Sequence, residues 1–322
     1  MEYRRLGQTG LKVSTICLGT MTFGWTADER SSIEIMSAAV DAGCNFFDTA
    51  DIYSRWTEGN PGGVSETIIG HWLKGRNREE IIIATKVRGR MWDGPDGEGL
   101  GRAHIMKAVE ASLHRLQTDY IDLYIAHWPD DDTPLEETLH ALDDLIREGK
   151  VRYVGASNFP AWKLCKALWA SDKRSLARFA SLQPHYNLVH RAEFERELMD
   201  LCADQSLGVT PYSPQAGGFL TGKYGRGKPV PEGSRGEGSR RIRDYMTDAN
   251  FDLIERVEEI GRDRGATVAQ VSLAWVLANP VVTSAIIGAN TVAQLQESIQ
   301  AATISLTPED KQILDEMSDW RS

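Results

Sequence analysis

Four side chains in the first half of the chain have the types needed to move a proton. Asp48 and Tyr53 lie in Phe47-Asp48-Thr49-Ala50-Asp51-Ile52-Tyr53, Lys86 in Ala84-Thr85-Lys86, and His127 in Tyr124-Ile125-Ala126-His127-Trp128-Pro129. Singly each is ordinary: an Asp at a strand end caps a loop, a Lys is solvated, and a lone His is a satisfied structural group. Together they make a device. A free phenol has a pKa of about 10 and is a poor acid at neutrality, but a nearby ammonium stabilises phenolate and moves it towards the working range. Lys86 suits that part, Asp48 would hold Lys86 charged and in place, and His127 could donate a hydrogen bond to a substrate oxygen where negative charge develops.

These residues must be brought together by strand ends. Short apolar or β-branched runs alternate with stretches of helical period, the pattern of repeated βα units around a parallel sheet. After a leading hairpin (2–14), the strand candidates are 16–18, 45–48, 81–86, 121–127, 151–156, 179–183, 208–212 and 283–287. Between them, helices are expected near 30–42, 64–74, 102–116, 135–148, 160–171, 193–205, 250–264 with 267–278, and 291–300. Thr133-Pro134 with Glu136 and Glu137 suits a helix start and Gly149 a stop, and Thr307-Pro308-Glu309-Asp310 opens a last helix to about Ser318. Eight units predict an α/β protein, a (β/α)8 barrel of the TIM type, as one domain over 1–322. Its active site then lies at the carboxyl ends of the strands, where Asp48, Lys86 and His127 would share one mouth with Tyr53 just beyond. One segment breaks the rhythm: 217–243, after the seventh strand, is rich in Gly, Pro and Arg and is either disordered or a lid.

With 322 residues, 41% hydrophobic and 25% charged, the composition is globular. The net charge of -10 argues against nucleic acid and anionic membrane as partners. The start, Met1-Glu2-Tyr3-Arg4-Arg5, has no apolar run behind it and no later stretch is apolar for long enough to span a bilayer, so a cytoplasmic protein is expected. Cys17, Cys44, Cys165 and Cys202 show no metal or redox spacing and read as reduced, buried thiols.

The sequence resembles the aldo-keto reductases, in particular the branch related to potassium-channel beta subunits. The likeness is carried by the 47–53 run, Gly63-Val64-Ser65-Glu66, Thr85-Lys86, Asp122-Leu123-Tyr124-Ile125-Ala126-His127, Gly155-Ala156-Ser157-Asn158-Phe159 and Gly222-Lys223-Tyr224, in order between about Tyr3 and Ser298. All four of the family's catalytic positions are filled. The resemblance implies metal-free reduction of a small-molecule carbonyl: hydride from NADPH reaches the carbonyl carbon and Tyr53 protonates the oxygen, reversibly.

It also implies a cofactor site without a Rossmann fingerprint, for which Gly97-Glu98-Gly99-Leu100-Gly101 has the wrong register. Gly19, Thr20 and Met21 would lie near the nicotinamide ribose, with Asp48 beside them. Ser157, Asn158 and Gln183 would hold the carboxamide, and Tyr212 would stack on the ring. Ser213, Pro214, Gln215, Gly218, Leu220 and Lys223 would follow the pyrophosphate, and Gly288, Asn290, Gln294, Glu297 and Ser298 the adenosine end. Arg235, in a local cationic run, would fold over the cofactor. Many relatives carry an Arg near Asn290 for the 2′-phosphate; an amide is a weaker partner, which leaves NADH use open. From the residues themselves, Trp25, Trp56, Trp92 and Trp128 follow the first four strands and could line a flat apolar mouth, although Trp is also an ordinary packing group. Gly94 to Gly101 reads as a flexible insert at that mouth.

Three other readings compete. A nucleotide-binding redox sensor or regulatory subunit would share the fold and turn over slowly; the presence of both Tyr53 and His127 favours catalysis. A metal-dependent barrel hydrolase needs clustered ligands, and only His127 ends a strand in this way. Tyr224 and Lys228 match the Tyr-x-x-x-Lys spacing of short-chain dehydrogenases, but Gly225 and Gly227 disfavour the helix that would pair them.

Overall fold

A computed structural model describes residues 1–321; Ser322 lies outside the described residues. The chain opens with an antiparallel hairpin, β1 (Tyr3–Arg5) and β2 (Lys12–Ser14). Eight parallel strands follow: β3 (Ile16–Gly19), β4 (Phe46–Asp48), β5 (Ile82–Val87), β6 (Ile121–Ala126), β7 (Val151–Ser157), β8 (Phe179–Gln183), β9 (Gly208–Val209) and β10 (Ala285–Gly288). Their order is β10-β3-β4-β5-β6-β7-β8-β9. Parallel bridges Val209↔Val282 and Tyr212↔Ile286 join the two ends, so the sheet closes into the expected barrel.

The helices on the outside are α1 (Glu29–Asp41), α2 (Val64–Leu73), α3 (Arg102–Leu116), α4 (Leu135–Arg147), α5 (Ala161–Arg174), α6 (Ala192–Glu195), α7 (Leu198–Asp204), α8 (Arg235–Gly238), α9 (Arg240–Asp244), α10 (Asp248–Arg264), α11 (Val268–Leu277), α12 (Val292–Gln300) and α13 (Pro308–Met317). Their ends follow local chemistry. Glu136 and Glu137 face the positive end of α4, Gly149 with φ +76° turns the chain after it, and Thr307 and Asp310 form a capping box on α13.

Two apolar layers form because strand side chains alternate. Ile16, Leu18, Phe47, Ile81 and Ile83 point outward into the helix-covered core, while Cys17, Phe46, Ile82, Ala84, Leu123, Ile125 and Ile286 fill the lumen together with Leu6, Leu11 and Val13 of the hairpin, which plugs the barrel's lower end.

Four expectations change. The seventh strand is Gly208–Val209 instead of 208–212, because Pro184 and Pro211 lack N–H groups and break the ladder. The eighth is displaced to Ala285–Gly288, since Thr283 and Ser284 both spend their N–H on Val209 O. Cys165 is exposed on α5, whereas Cys17, Cys44 and Cys202 are buried, all four as free thiols. The 217–243 segment holds definite structure rather than disorder. It carries α8 and α9, Phe219 packs on Tyr224, Tyr245 and Phe251, and Arg226 pairs with Asp248 (2.7 Å), Asp252 and Glu255.

Candidate active site

The lumen alternation decides what reaches the mouth. Two residues beyond inward Phe46, Ala84 and Ile125 come Asp48, Lys86 and His127, and the same step on the other strands gives Gly19, Ser157, Gln183, Tyr212 and Gly288. One inward position at the upper end of each strand therefore forms the ring around the site. Below it the lumen is lined mainly by apolar side chains, with the hydroxyls of Ser181 and Thr210 buried among them.

At its centre, Lys86 is wholly buried and its three ammonium protons are all placed: Nζ donates to Asp48 Oδ1 (2.6 Å), Thr49 O (2.8 Å) and Tyr53 Oη (2.8 Å). Gln183 Nε2 donates to the other oxygen of Asp48 at 2.8 Å. Burial opposes the Lys86 charge, but Asp48 and then Tyr53 outweigh it and hold the ammonium above its ordinary value. The expectation for Tyr53 changes. Burial pushes the phenol up to about 12 despite the pull of Lys86, so Tyr53 remains protonated at neutrality. Since its oxygen accepts from Lys86, its own O–H is free to donate elsewhere.

His127 completes the group, its ring centroid 6.2 Å from that of Tyr53. Burial first, then the Lys86 and Arg88 charges, hold the imidazole well below its usual value, so it is neutral. Its Nδ1 is buried without a hydrogen-bond partner. Trp128 stacks on His127 at 3.7 Å, Trp56 meets Tyr53 edge-on at 6.2 Å, and Trp25 meets Trp56 at 5.5 Å. These three tryptophans are exposed around the mouth. Trp92 is not among them: its ring packs on His104 (4.8 Å) beneath Lys107. The 94–101 insert is tied down by Gly97 N–H to Gly94 O, Gly99 N–H to Arg88 O and Leu100 N–H to Asp130.

The Gly63-Val64-Ser65-Glu66 stretch braces the strand ends. Ser65 Oγ bonds Thr20 Oγ1 (2.7 Å) and accepts from Thr49 (2.9 Å), while Glu66 accepts from Thr85 and pairs with Arg115 at 2.7 Å. Gly19 is required by close approach, because a Cβ there would lie 2.7 Å from Ile286 Cγ2. Met21 follows, half-buried.

On the far side, Asn158 Nδ2 donates to His127 O (2.8 Å) and to Ser157 Oγ (3.0 Å), and its Oδ1 accepts from Tyr212 Oη at 2.9 Å. Tyr212 is half-buried, and His185 backs one face of its ring at 5.1 Å with planes 7° apart. Neither His185 nor Asn187, which holds Ser213 O at 3.0 Å, has a signal in the sequence beyond its type.

From 213 the backbone curls: Ser213, Ala216, Gly217 and Gly218 all have positive φ, and Gln215 Nε2 fixes the turn to Ala269 O. Such a nest of amides suits an anion. A Cβ on Gly218 would sit 2.8 Å from Lys223 Nζ, so the ammonium lies against the nest, with Pro214 and Leu220 buried beneath. Further round, Gln294 Oε1 accepts from Asn290 N–H (2.9 Å), Asn290 Oδ1 accepts from Thr26 (2.8 Å), Glu297 accepts from Thr267 (2.8 Å), and Ser298 is buried. Arg235, on α8, reaches back to the mouth, its guanidinium 5.4 Å from the Trp25 ring centroid.

The family model for the aldo/keto reductase family matches residues 15–319. The chain belongs to the aldo/keto reductase family. It is similar, at 42% identity over 99% of this chain and 95% of the relative, to the uncharacterized oxidoreductase YrpG of Bacillus subtilis (strain 168). A probable voltage-gated potassium channel subunit beta of Arabidopsis thaliana is 37% identical over 96% of this chain and 94% of the relative. Versiconal hemiacetal acetate reductase of Aspergillus parasiticus is 35% identical over 98% of this chain and 96% of the relative. The reductase is thus an NAD(P)H-dependent oxidoreductase of a family that acts on small carbonyl compounds. Among its described residues no helix is long and apolar enough to cross a membrane.

Proposed function

We propose that the chain is a single-domain cytoplasmic reductase that converts aldehydes or ketones to alcohols with NADPH, with Tyr53 as general acid. The observation that carries this reading is the complete use of the Lys86 ammonium: its third N–H fixes the Tyr53 oxygen, which leaves the phenol proton to be aimed at a substrate oxygen. When bound, the nicotinamide supplies the hydride for the carbonyl carbon. Tyr53 then gives its proton to that oxygen, and Lys86 stabilises the phenolate that remains. With no acceptor at Nδ1 to hold a proton there, His127 presents Nε2–H as a neutral donor to the same oxygen.

The chain's residues fit the cofactor. Tyr212, stiffened by His185, offers a ring for stacking; Ser157, Asn158 and Gln183 surround the carboxamide position; the 213–218 nest with Lys223 suits the pyrophosphate. Asn290 is a poor partner for a 2′-phosphate. Arg235 compensates, because it packs on Trp25, next in sequence to the Thr26 that bonds Asn290. NADPH is therefore the preferred cofactor and NADH a weaker alternative.

A second reading rests on the 37% likeness to a channel beta subunit: a nucleotide-binding regulatory protein with slow turnover. A carbonyl panel including 4-nitrobenzaldehyde, run with NADPH and NADH in parallel, separates the two. Reduction is expected, with Tyr53→Phe losing about 10²–10⁴ in kcat while NADPH binding persists. Tight nucleotide binding without turnover favours the regulatory reading, and an undiminished Tyr53→Phe rate removes Tyr53 as the acid.

A further inference from the structure

Arg88 follows the last residue of β5, two positions beyond Lys86, and its backbone is unlike any other described here. Seven of the eight non-glycine residues with positive φ fall between +51° and +69°, the ordinary left-handed region, whereas Arg88 stands at +131°. Both flanks of the peptide are pinned: His127 N–H donates to Val87 O at 3.0 Å and Gly99 N–H to Arg88 O at 2.9 Å. Strain of this kind persists where the surroundings force it, and it gathers at functional sites.

The side chain, too, has a polar atom without a partner. Arg88 Nε is buried with no hydrogen-bond partner, and among the described residues Arg88 makes no ion pair, although the chain has ten more acidic than basic residues. Arg90, two positions on, pairs with Glu98. Val87, the residue before it, accepts the His127 N–H, so Arg88 leaves β5 beside the mouth, and its charge is felt by His127 and by Asp130. Asp130 is already engaged: Leu100 N–H (2.7 Å) and Thr133 Oγ1 (2.8 Å) donate to Oδ2, and Asp132 N–H (3.1 Å) to Oδ1. A planar guanidinium fork without a protein partner, beside an aromatic mouth, matches a carboxylate joined to a flat apolar body.

We propose that Arg88 recognises a carboxylate on the substrate, so that the preferred carbonyl compounds carry that group across an apolar, aromatic-sized spacer from the reacting carbon. This rests on the reductase reading above and narrows it to a substrate class.

The test compares 3- and 4-carboxybenzaldehyde with their methyl esters, which keep the shape and remove the charge. Within each variant the ratio of kcat/KM for acid over ester cancels any influence of Arg88 on chemistry common to both. Wild type should favour one acid by about 10–100-fold, the worth of a charge-assisted hydrogen-bonded pair. Arg88→Met should lower that ratio by the same factor of about 10–100. Arg88→Gly removes the guanidinium at a residue for which this φ is permitted, so its fold is not in question. Calorimetric binding of 3- and 4-(hydroxymethyl)benzoate against the ester alcohols, in wild type and both variants, requires no turnover. A binding preference lost with Arg88 supports the proposal even if neither aldehyde is reduced, an outcome that would count against the reductase reading alone. Equal binding of acid and ester by wild type, or a preference that survives in Arg88→Gly, overturns it.

Discussion

Replacing Lys86 by Met removes a charge whose three partners are all known, so both a stability and a rate effect can be worked out. Asp48, 2% exposed, would keep only Gln183 as a partner, and breaking a buried pair from one side costs about 3–5 kcal/mol. At roughly 2 °C per kcal/mol for a domain of this size, the melting temperature should fall by about 6–10 °C. The rate effect follows from the 2.8 Å between Nζ and the phenol oxygen. At an effective dielectric near 20, an ammonium attracts a phenolate at that separation by about 6 kcal/mol. If half or more of the phenolate charge has developed in the transition state, kcat drops by about 10²–10⁴.

The double variant Asp48→Asn with Lys86→Met tells the two effects apart. Removing both charges leaves no orphan, so much of the lost stability should return, measured by urea denaturation. The rate should not return, because no cation then faces Tyr53. A double variant that recovers kcat along with stability would refute the reasoning, since Lys86 would then serve only to neutralise Asp48.

Asp51 titrates against the fold. Both its carboxyl oxygens are buried without hydrogen-bond partners, and burial, then Glu66, raises its pKa well above 3.8. A folded value above the unfolded one means that stability is lost as pH rises through that window. Compared at pH 5 and pH 8, wild type should therefore be less stable at the higher pH through this group, and Asp51→Asn should escape the loss. If the stability gap between variant and wild type is the same at both pH values, Asp51 is not protonated in the fold. Gly70→Ala would set a Cβ 2.1 Å from Arg115 O where α2 meets α3, and should cost about 3 kcal/mol in denaturant titration. Gly238→Ala, with no atom within 4 Å, is the control; equal effects would mean the two helices can part freely.

The barrel and the meeting of Asp48, Lys86 and His127 at its mouth were legible in the sequence because strand ends obey a period of two. Phe46 and Asp48, Ala84 and Lys86, Ile125 and His127 each step from lumen filler to mouth, and one short apolar run suffices to read them. What could not be read depends on distant contacts. The 217–243 segment has no helical period, and its shape comes from Phe219 meeting Tyr245 and Phe251, residues far along the chain. Trp92 shares its position after a strand with Trp25, Trp56 and Trp128, yet a histidine from α3 claims its ring. Arg88 is one arginine among many by sequence, and it is the backbone φ, which no motif announces, that sets it apart. The direction of the Tyr53 shift is hidden from the sequence for a related reason. The spacing reveals the ammonium, whereas the depth of burial that outweighs it is a property of the assembled barrel.

In the proposed reaction, that burial changes how Tyr53 works as the acid. Apolar Phe46, Ala84, Leu123 and Ile125 line the lumen under the site and offer the Lys86 charge no partner from below, so Asp48 is needed to hold it there. The pair is close to neutral as a unit, which is why it cannot pull Tyr53 down to physiological pH. A phenol at about 12 does not ionise in the resting protein, and so it does not lose its proton to solvent before substrate arrives. It becomes a competent donor only opposite a more basic oxygen, such as the alkoxide that forms as a carbonyl carbon is reduced. The proposed reaction requires Lys86 to hold the phenol oxygen in place and to stabilise it once the proton has left, and a resting pKa near neutrality is not among its requirements.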